Sequence, residues 1–384
     1  MEDCIYLDHA ATTFPKPQSV YEALDGANRT LAVNAGRGSY ALAREASDII
    51  AETKNEIKKL AHAKDVAEVV FTASATLACN QILGGLAWQK EDVVYVSPYE
   101  HNAVMRVLHG LQKKYGFEIE ELAMDEQSLK LDIEKIEFQF VRKRPSVVVM
   151  SHVSNVLGYV LPIEKVAQIA KDYQAIVVVD GAQALGVVPV DLQKMPIDFY
   201  IYAGHKTLYG PFGVGGFFYR GNVQLQPYLA GGTGSDSLNL EMDTDTPEGL
   251  SPGSPNIVAI AGLLAALKEP GIDELYAKEQ ELTEYLIGQL QRIPDVTVYR
   301  IKDITQQIGI VSFNITGYQA QEVGMLLDED YHIAVRTGYQ CAPLIHKYLH
   351  DTEHAGVVRA SLGRFSTKEE IERLVEAVRE IAEG

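Results

Sequence analysis

Lys206 stands in Ala203-Gly204-His205-Lys206-Thr207-Leu208-Tyr209-Gly210-Pro211-Phe212-Gly213-Val214-Gly215-Gly216, directly after an apolar run. A lysine amine attacks an aldehyde only when it is deprotonated and held still, which takes desolvation and a rigid backbone. The glycines let backbone close on a ligand, and His205 offers a donor to an anion such as phosphate. The segment therefore reads as a cofactor anchor; a Gly-rich turn between two strands is the plainer alternative.

Other residues with chemical potential fall at the ends of apolar runs. Asp180 follows Val177-Val178-Val179 and leads into Gly181-Ala182-Gln183. A carboxylate there is costly without a partner, which would be a helix N-terminus, an arginine or the cationic ring nitrogen of a cofactor. Asn155, in Ser151-His152-Val153-Ser154-Asn155, and His101, in Tyr99-Glu100-His101-Asn102, occupy two more such positions. A single histidine is more often structural, so its place after a strand is what marks His101. Ala75 and Thr76 open a helix after Phe71-Thr72 and offer N–H groups to a phosphate, although a simple N-cap has the same letters. Cys341 lies in the polar, glycine-rich and cationic Val335-Arg336-Thr337-Gly338-Tyr339-Gln340-Cys341-Ala342-Pro343. A neighbouring cation favours a thiolate, the attacking species. Cys4 and Cys79 read instead as small buried hydrophobes.

These residues need elements to position them. Strands are expected near 3–8, 68–72, 93–97, 146–152, 175–180, 198–203 and 214–219, with helices filling the gaps from Gln18 and over 41–61. The unbroken valine runs at 147–149 and 177–179 suit strands covered on both faces, as in a mostly parallel α/β sheet. In such sheets ligands sit beyond the carboxyl ends of strands, where the marked residues lie. After Asn256 come a helix pair to about 292, strands at 296–301, 308–314 and 333–337, a helix from Gln319, and a last helix with Ser366 and Glu369 at capping-box spacing. The expected division is an N-terminal segment over 1–17, a large α/β domain over 18–252 and a smaller α+β domain over 253–384.

With 384 residues the chain has length for a large core and a smaller unit. Its 34 basic and 52 acidic residues, a formal net charge of -18, disfavour nucleic acid and anionic lipid as partners. Three scattered cysteines fit neither a disulfide framework nor a zinc site, so no metal is expected. No signal peptide is read at the start, and the apolar 257–267 is too short to span a bilayer, which points to a cytoplasmic protein.

The segments GHKTLYGPFGVGG, VVVDGAQ, SHVSNVLG and EHNAVM, with the N-terminal YLDHAATTFPKP, together resemble the cysteine desulfurase and selenocysteine lyase family. That family lies within the class V aminotransferase group of enzymes using pyridoxal 5'-phosphate (PLP), of fold type I. The resemblance runs from Tyr6 to Thr367 with the segments in family order. It implies that Lys206 carries PLP and shuttles protons, that Asp180 pairs with the pyridine nitrogen, and that His101 stacks on the ring and assists proton transfer. Gln183 and Asn155 would address the ring's phenolic oxygen and the substrate, and Arg359 the substrate carboxylate, which its fork suits.

The phosphate cup departs from the family pattern: Ser74-Ala75-Thr76 replaces the common Gly-Thr-Thr, and Ala203 replaces a frequent Ser. Backbone N–H groups at 75 and 76, the Thr76 hydroxyl and His205 remain. Gly253 and Ser254 would complete the cup from a second subunit, which implies a homodimer with shared sites and weaker cofactor binding. Cys341 matches the catalytic cysteine, so the implied reaction turns L-cysteine, or L-selenocysteine, into alanine and leaves a persulfide for a sulfur-acceptor protein, with iron–sulfur cluster assembly as one destination. Only 18 positions separate Cys341 from Arg359, as in the short-loop branch.

Overall fold

The computed structural model describes residues 4–35, 38, 40–233, 238–270 and 274–384. Asp3, the first residue of the expected initial strand, and part of the loop over 34–40 lie outside them.

From the N-terminus run β1 (Ile5–Tyr6), α1 (Gln18–Thr30), α2 (Ala41–Leu60), β2 (Glu68–Thr72), α3 (Ala75–Gly85), β3 (Val93–Val96), α4 (Asn102–Tyr115) and β4 (Glu118–Glu121). A small hairpin, β5 (Met124–Asp125) and β6 (Lys130–Leu131), leads to α5 (Ile133–Arg142), β7 (Val147–Ser151), α6 (Ile163–Asp172), β8 (Ile176–Asp180), β9 (Phe199–Ala203) and β10 (Gly215–Tyr219). Seven of these strands form one sheet in the order β2-β10-β9-β8-β7-β3-β4. The pairs β9–β8, β8–β7, β7–β3 and β3–β4 are parallel, and β10 runs antiparallel to both of its neighbours. This is the mostly parallel α/β sheet that the valine runs imply, with the seven strands expected from the resemblance to fold type I.

The runs are continuous because both faces of each strand are covered. Val177 and Val179 enter one core with Met150, Tyr200 and Tyr202, while Val178 enters the other with Val149, Phe199 and Ile201. Helices α2, α5 and α6 supply side chains to the first core, and α3 and α4 to the second. The edge strand β4 went unread in the sequence. Its Glu118-Ile119-Glu120-Glu121 is dominated by charge, a common protection of sheet edges.

The remaining elements are α7 (Ile257–Leu267), α8 (Leu275–Leu290), β11 (Val296–Tyr299), β12 (Ile310–Ile315), α9 (Ala320–Glu329), β13 (Ile333–Ala334), β14 (Arg336–Gly338), α10 (His346–Leu349), β15 (Val357–Ser361) and α11 (Lys368–Glu383). A four-stranded sheet, β11-β12-β15-β14, is antiparallel throughout. Its core is closed by Leu286 and Leu290 of α8, Val323 and Leu327 of α9, and Ile371, Leu374, Val375 and Val378 of α11. Helix α7 follows residue 253, yet its Ala259, Ile260 and Leu263 pack in the first core of the large sheet.

Two local expectations are corrected. The strand over 333–337 divides at Val335, because β13 pairs with β1 whereas β14 turns to β15. The capping box of α11 is Thr367 with Glu370, since the Ser366 hydroxyl instead accepts the Gly363 N–H at 3.0 Å. The N-terminal segment ties both sheets together: β1 joins β13, the Ala10 N–H donates to Ser361 Oγ (2.9 Å), and the Thr13 N–H donates to the His205 carbonyl (3.2 Å).

Candidate active site

The ends of β2, β3, β7, β8 and β9 meet at one edge of the large sheet. There a cavity of about 220 Å³ is lined by Ala75, Thr76, His101, Asn155, Asp180, Gln183, His205, Lys206 and Arg359, with Ala10 and Arg336 among the other walls. Nine residues singled out in the sequence thus come together. Cys341 stands at the mouth, in an adjoining open groove that shares Thr76, His101 and Ala103 with the cavity.

Lys206 leaves β9 through Gly204, whose N–H donates to the Val214 carbonyl (3.1 Å), and the Tyr209 N–H closes the turn on the Lys206 carbonyl (2.8 Å). The side chain is half-buried with its amine enclosed by the cavity walls. Desolvation lowers the affinity of this amine for its proton, Arg359 and Arg336 push the same way, and Asp180 opposes them. A neutral, immobile amine is the form suited to attack a carbonyl carbon.

Asp180 ends β8 with Oδ1 accepting the Ala182 N–H at 2.9 Å. Next to it lies a carboxyl that the sequence reading passed over. Glu100 Oε1 accepts from Ser97 Oγ (2.5 Å) and from the Ser151 N–H (2.6 Å), fastening the ends of β3 and β7. Burial, with Asp180 adding, pushes the Glu100 carboxyl up to about 8. His101 caps α4 by accepting the Ala103 N–H on Nδ1 (3.0 Å), which leaves Nε2 to carry the proton of a neutral ring. Burial and the Lys206 charge hold this imidazole at about 4.

At the other end, Ser74 Oγ caps α3 by accepting the Leu77 N–H (3.2 Å). Gly215 permits this approach, because a Cβ there would stand 3.1 Å from the Ala75 nitrogen. His205 stacks on Phe212 with centroids 4.6 Å apart, and its buried Nδ1 has no partner. Free helix N–H groups beside an unpartnered ring nitrogen make an anion cradle. Gly253 and Ser254 do not line it: both are exposed and face a separate cavity of about 310 Å³ with Phe71 and Leu77.

Arg359 on β15 is 1 % exposed; Nη2 meets Asp8 Oδ1 at 2.6 Å, Nη1 donates to the Asn155 carbonyl at 2.9 Å, and Nε is without a partner. Asp8 was quoted in the sequence without a role, and no local signal pairs it with a residue 351 positions away. Gln183 donates to the Ala10 carbonyl (2.7 Å), so the N-terminal segment forms one wall.

Cys341 follows β14 in a turn where Gln340 and Cys341 both take left-handed φ, 47° and 56°. Arg336 Nη2 contacts the sulfur at 3.1 Å. This arginine was read only as a generic nearby cation, although its place five residues before the cysteine marked it. The turn is fastened to the rest of the site: the Asn102 N–H donates to the Cys341 carbonyl (2.7 Å) and Asn155 Nδ2 to the Gln340 carbonyl (2.6 Å). Of the other cysteines, Cys79 is buried as expected and Cys4 is exposed, contrary to expectation. Among the described residues no cluster suits a metal ion and no helix is long and apolar enough to cross a membrane.

The family model for aminotransferase class-V matches residues 5–374. A probable cysteine desulfurase of Methanothermobacter thermautotrophicus is 33% identical, covering 100% of this chain and 96% of its own length. A probable cysteine desulfurase of Halalkalibacterium halodurans is 32% identical, covering 99% and 93%. The apo structure of cysteine desulfurase from Thermococcus onnurineus NA1 superposes with a TM-score of 0.91 at 30% identity, covering 99% of this chain and 95% of that one.

Proposed function

The chain belongs to the aminotransferase class-V family, and on that premise we propose that it is a PLP-dependent cysteine desulfurase, converting L-cysteine to L-alanine and a persulfide on Cys341. One observation carries this reading: an enclosed lysine amine whose hold on its proton is weakened by desolvation and a cysteine sulfur touched by a guanidinium lie at the inner and outer ends of one site. The names of the relatives support it.

The residues present fit PLP. Lys206 would hold its aldehyde carbon, Asp180 its ring nitrogen, His101 a ring face, Gln183 the phenolic oxygen, and the α3 N–H groups with the orphan His205 Nδ1 its phosphate. Bound there, PLP supplies an electron sink for negative charge at the substrate α-carbon.

The chain's own groups do the rest. Arg359, with Nε unpartnered, and Asn155 orient the substrate carboxylate. Lys206 Nζ takes the α-proton and delivers one back. Cys341 Sγ attacks the substrate sulfur: a new S–S bond forms, the C–S bond breaks with its electron pair going to carbon, and protonation of that carbon yields alanine. L-selenocysteine fits the same scheme. A thiolate of a sulfur-acceptor protein then attacks the outer sulfur through the open groove, the S–S bond breaks, and Cys341 leaves as a thiolate.

A homodimer with shared sites is part of this proposal. Gly253, Ser254, Leu238 and Leu240 are exposed on the single chain, the two leucines at 96 % and 97 %, and a second copy would cover them. Alanine formation from both substrates by wild type, Lys206→Ala and Cys341→Ala tests the reading. Full desulfuration by Cys341→Ala sinks the persulfide route. PLP kept tightly by an isolated monomer in a dilution series sinks the shared site.

A further inference from the structure

Behind the Cys341 turn lies a polar pair that plays no part in the chemistry above. His346, at the start of α10, and Asp351 are 7 % and 0 % exposed, with His346 Nδ1 at 2.5 Å from Asp351 Oδ2. The other ring nitrogen, Nε2, lies 2.9 Å from the carbonyl oxygen of Tyr339. A carbonyl only accepts, so Nε2 carries a proton and donates it. That leaves one proton shared between Nδ1 and the carboxyl, and the pair is either imidazolium with carboxylate or imidazole with carboxylic acid. In both forms Asp351 fixes the ring with its Nε2–H aimed at Tyr339. The Tyr339 ring also packs edge-on against His346, with centroids 5.0 Å apart.

Tyr339 is the residue between Gly338, at φ 92°, and the left-handed Gln340 and Cys341. Three successive positive φ values interrupted by one anchored peptide describe a turn that intrinsic preference does not hold, since left-handed backbone is unfavourable for side chains bearing a Cβ. Asn155 and Asn102 reach the Gln340 and Cys341 carbonyls from outside the turn, and Gln340 Nε2 donates to the Val357 carbonyl (3.3 Å); from outside the turn, the Tyr339 carbonyl accepts only from His346 among the hydrogen bonds of the described residues. The Ala342 N–H donates to the same Tyr339 carbonyl at 3.0 Å, closing the turn around the cysteine.

We propose that His346 and Asp351 form a positioning pair that locks the Cys341 turn, keeping the sulfur on Arg336 and aimed at the cavity. It rests on the reading of Cys341 as the sulfur-accepting nucleophile. A buried donor held by a buried carboxylate orients without moving, which is what a reacting atom on a turn requires, because small misplacements of such atoms cost about 100-fold in rate.

The test uses the PLP-loaded enzyme carrying Cys4→Ser, so that the exposed second thiol does not react. The variants are His346→Ala, His346→Gln and Asp351→Asn, with Cys341→Ser as control. Two measurements are made: steady-state sulfur release from L-cysteine, and the rate of Cys341 alkylation by iodoacetamide without substrate. For His346→Ala the expected result is a fall in kcat of about 10- to 100-fold, with KM changed less than about threefold and cofactor absorbance retained. Alkylation slows about threefold or more as the sulfur leaves Arg336. The glutamine variant, which keeps one donor for Tyr339, falls between wild type and alanine. If the alanine variant fails to fold, the glutamine variant serves. Asp351→Asn is nearly isosteric, and its amide N–H can donate to Nδ1 while Nε2–H stays on the Tyr339 carbonyl, so it is expected to stay within about threefold of wild type in both measurements. Unchanged kcat in the His346 variants overturns the proposal, and so does a fall in kcat with alkylation unchanged or faster, which would assign the pair to folding. Sulfur release that survives Cys341→Ser would fault the nucleophile assignment instead, while the alkylation rates still judge the pair.

Discussion

Lys206 emerges from a strand that is paired and buried on both sides, whereas Cys341 sits on a turn beyond the edge strand β14 of the smaller sheet, with its sulfur half-exposed at an open groove. The lysine is fixed by its own neighbours: Gly204, Val214 and Tyr209 close the backbone within a few residues. The cysteine is fixed by groups from other elements, Asn102 and Asn155 from far along the chain and His346 from the short helix that follows. A desolvated amine needs enclosure to lose its proton, and a sulfur carrier needs access to hand its cargo on. The cavity and its adjoining groove provide both because one residue belongs to a rigid sheet edge and the other to a turn that is tied down from outside.

Breaking the lysine side should cost most. Lys206→Ala is expected to lower alanine formation by at least about 1,000-fold, the upper range for losing a positioned acid–base group, since it also removes the covalent anchor. An alanine assay with cofactor absorbance checks it, and more than a tenth of wild-type rate would contradict the enclosed-amine argument. On the open side, Cys341→Ala should reduce sulfur release about 100- to 1,000-fold while L-cysteine still perturbs the cofactor absorbance, because Arg359 and Asn155 are untouched.

Arg359→Lys probes the ground between the two. Losing the fork and the orphan Nε should raise KM for L-cysteine about 10- to 100-fold, the equivalent of charge-assisted hydrogen bonds of about 1.5–3 kcal/mol. A KM within twofold of wild type would remove the arginine from substrate binding.

A smaller effect separates buried carboxyls from the site itself. Glu279 on α8 faces a cavity of about 30 Å³ with His9, and burial pushes its carboxyl up to about 8. Its folded pKa is above the unfolded value, so the stability it contributes is present below about pH 4.5 and is lost as pH rises toward 8. Glu279→Gln should therefore gain on wild type by about 1.4 kcal/mol per pH unit across that window. Denaturant melts at pH 5, 6 and 7 read the difference, and parallel curves would show that the carboxyl titrates normally. Thr367→Ala, remote from both regions, should cost about 1 kcal/mol in the same melts through the lost cap of α11 and leave alanine formation unchanged.

Much of the strand-edge half was legible before any coordinates. Valine runs marked covered strands, polar residues after them marked the cavity, and the glycine-rich segment after the last run marked the anchor. Such signals are local, because strand ends and helix starts are written in neighbouring residues. Glu100 escaped notice despite standing beside His101, since nothing in its neighbourhood tells a buried carboxyl from a solvated one. The cysteine half was legible as a motif and not as a structure. That Arg336 meets the sulfur, that Asp8 holds Arg359, and that His346 holds the Tyr339 carbonyl depend on turns and on pairings across the whole chain.

The amino-acid order by itself determined which strands exist, which of their ends carry reactive side chains, and that a lysine and a distant cysteine belong to one family pattern. Tertiary structure alone decided which of those groups lose their water, which acquire partners, and that Gly253 and Ser254 lie away from the cavity of their own chain. The reason is physical: periodicity and turn chemistry act over a few residues, while desolvation and ion pairing depend on what the folded chain brings within a few ångströms.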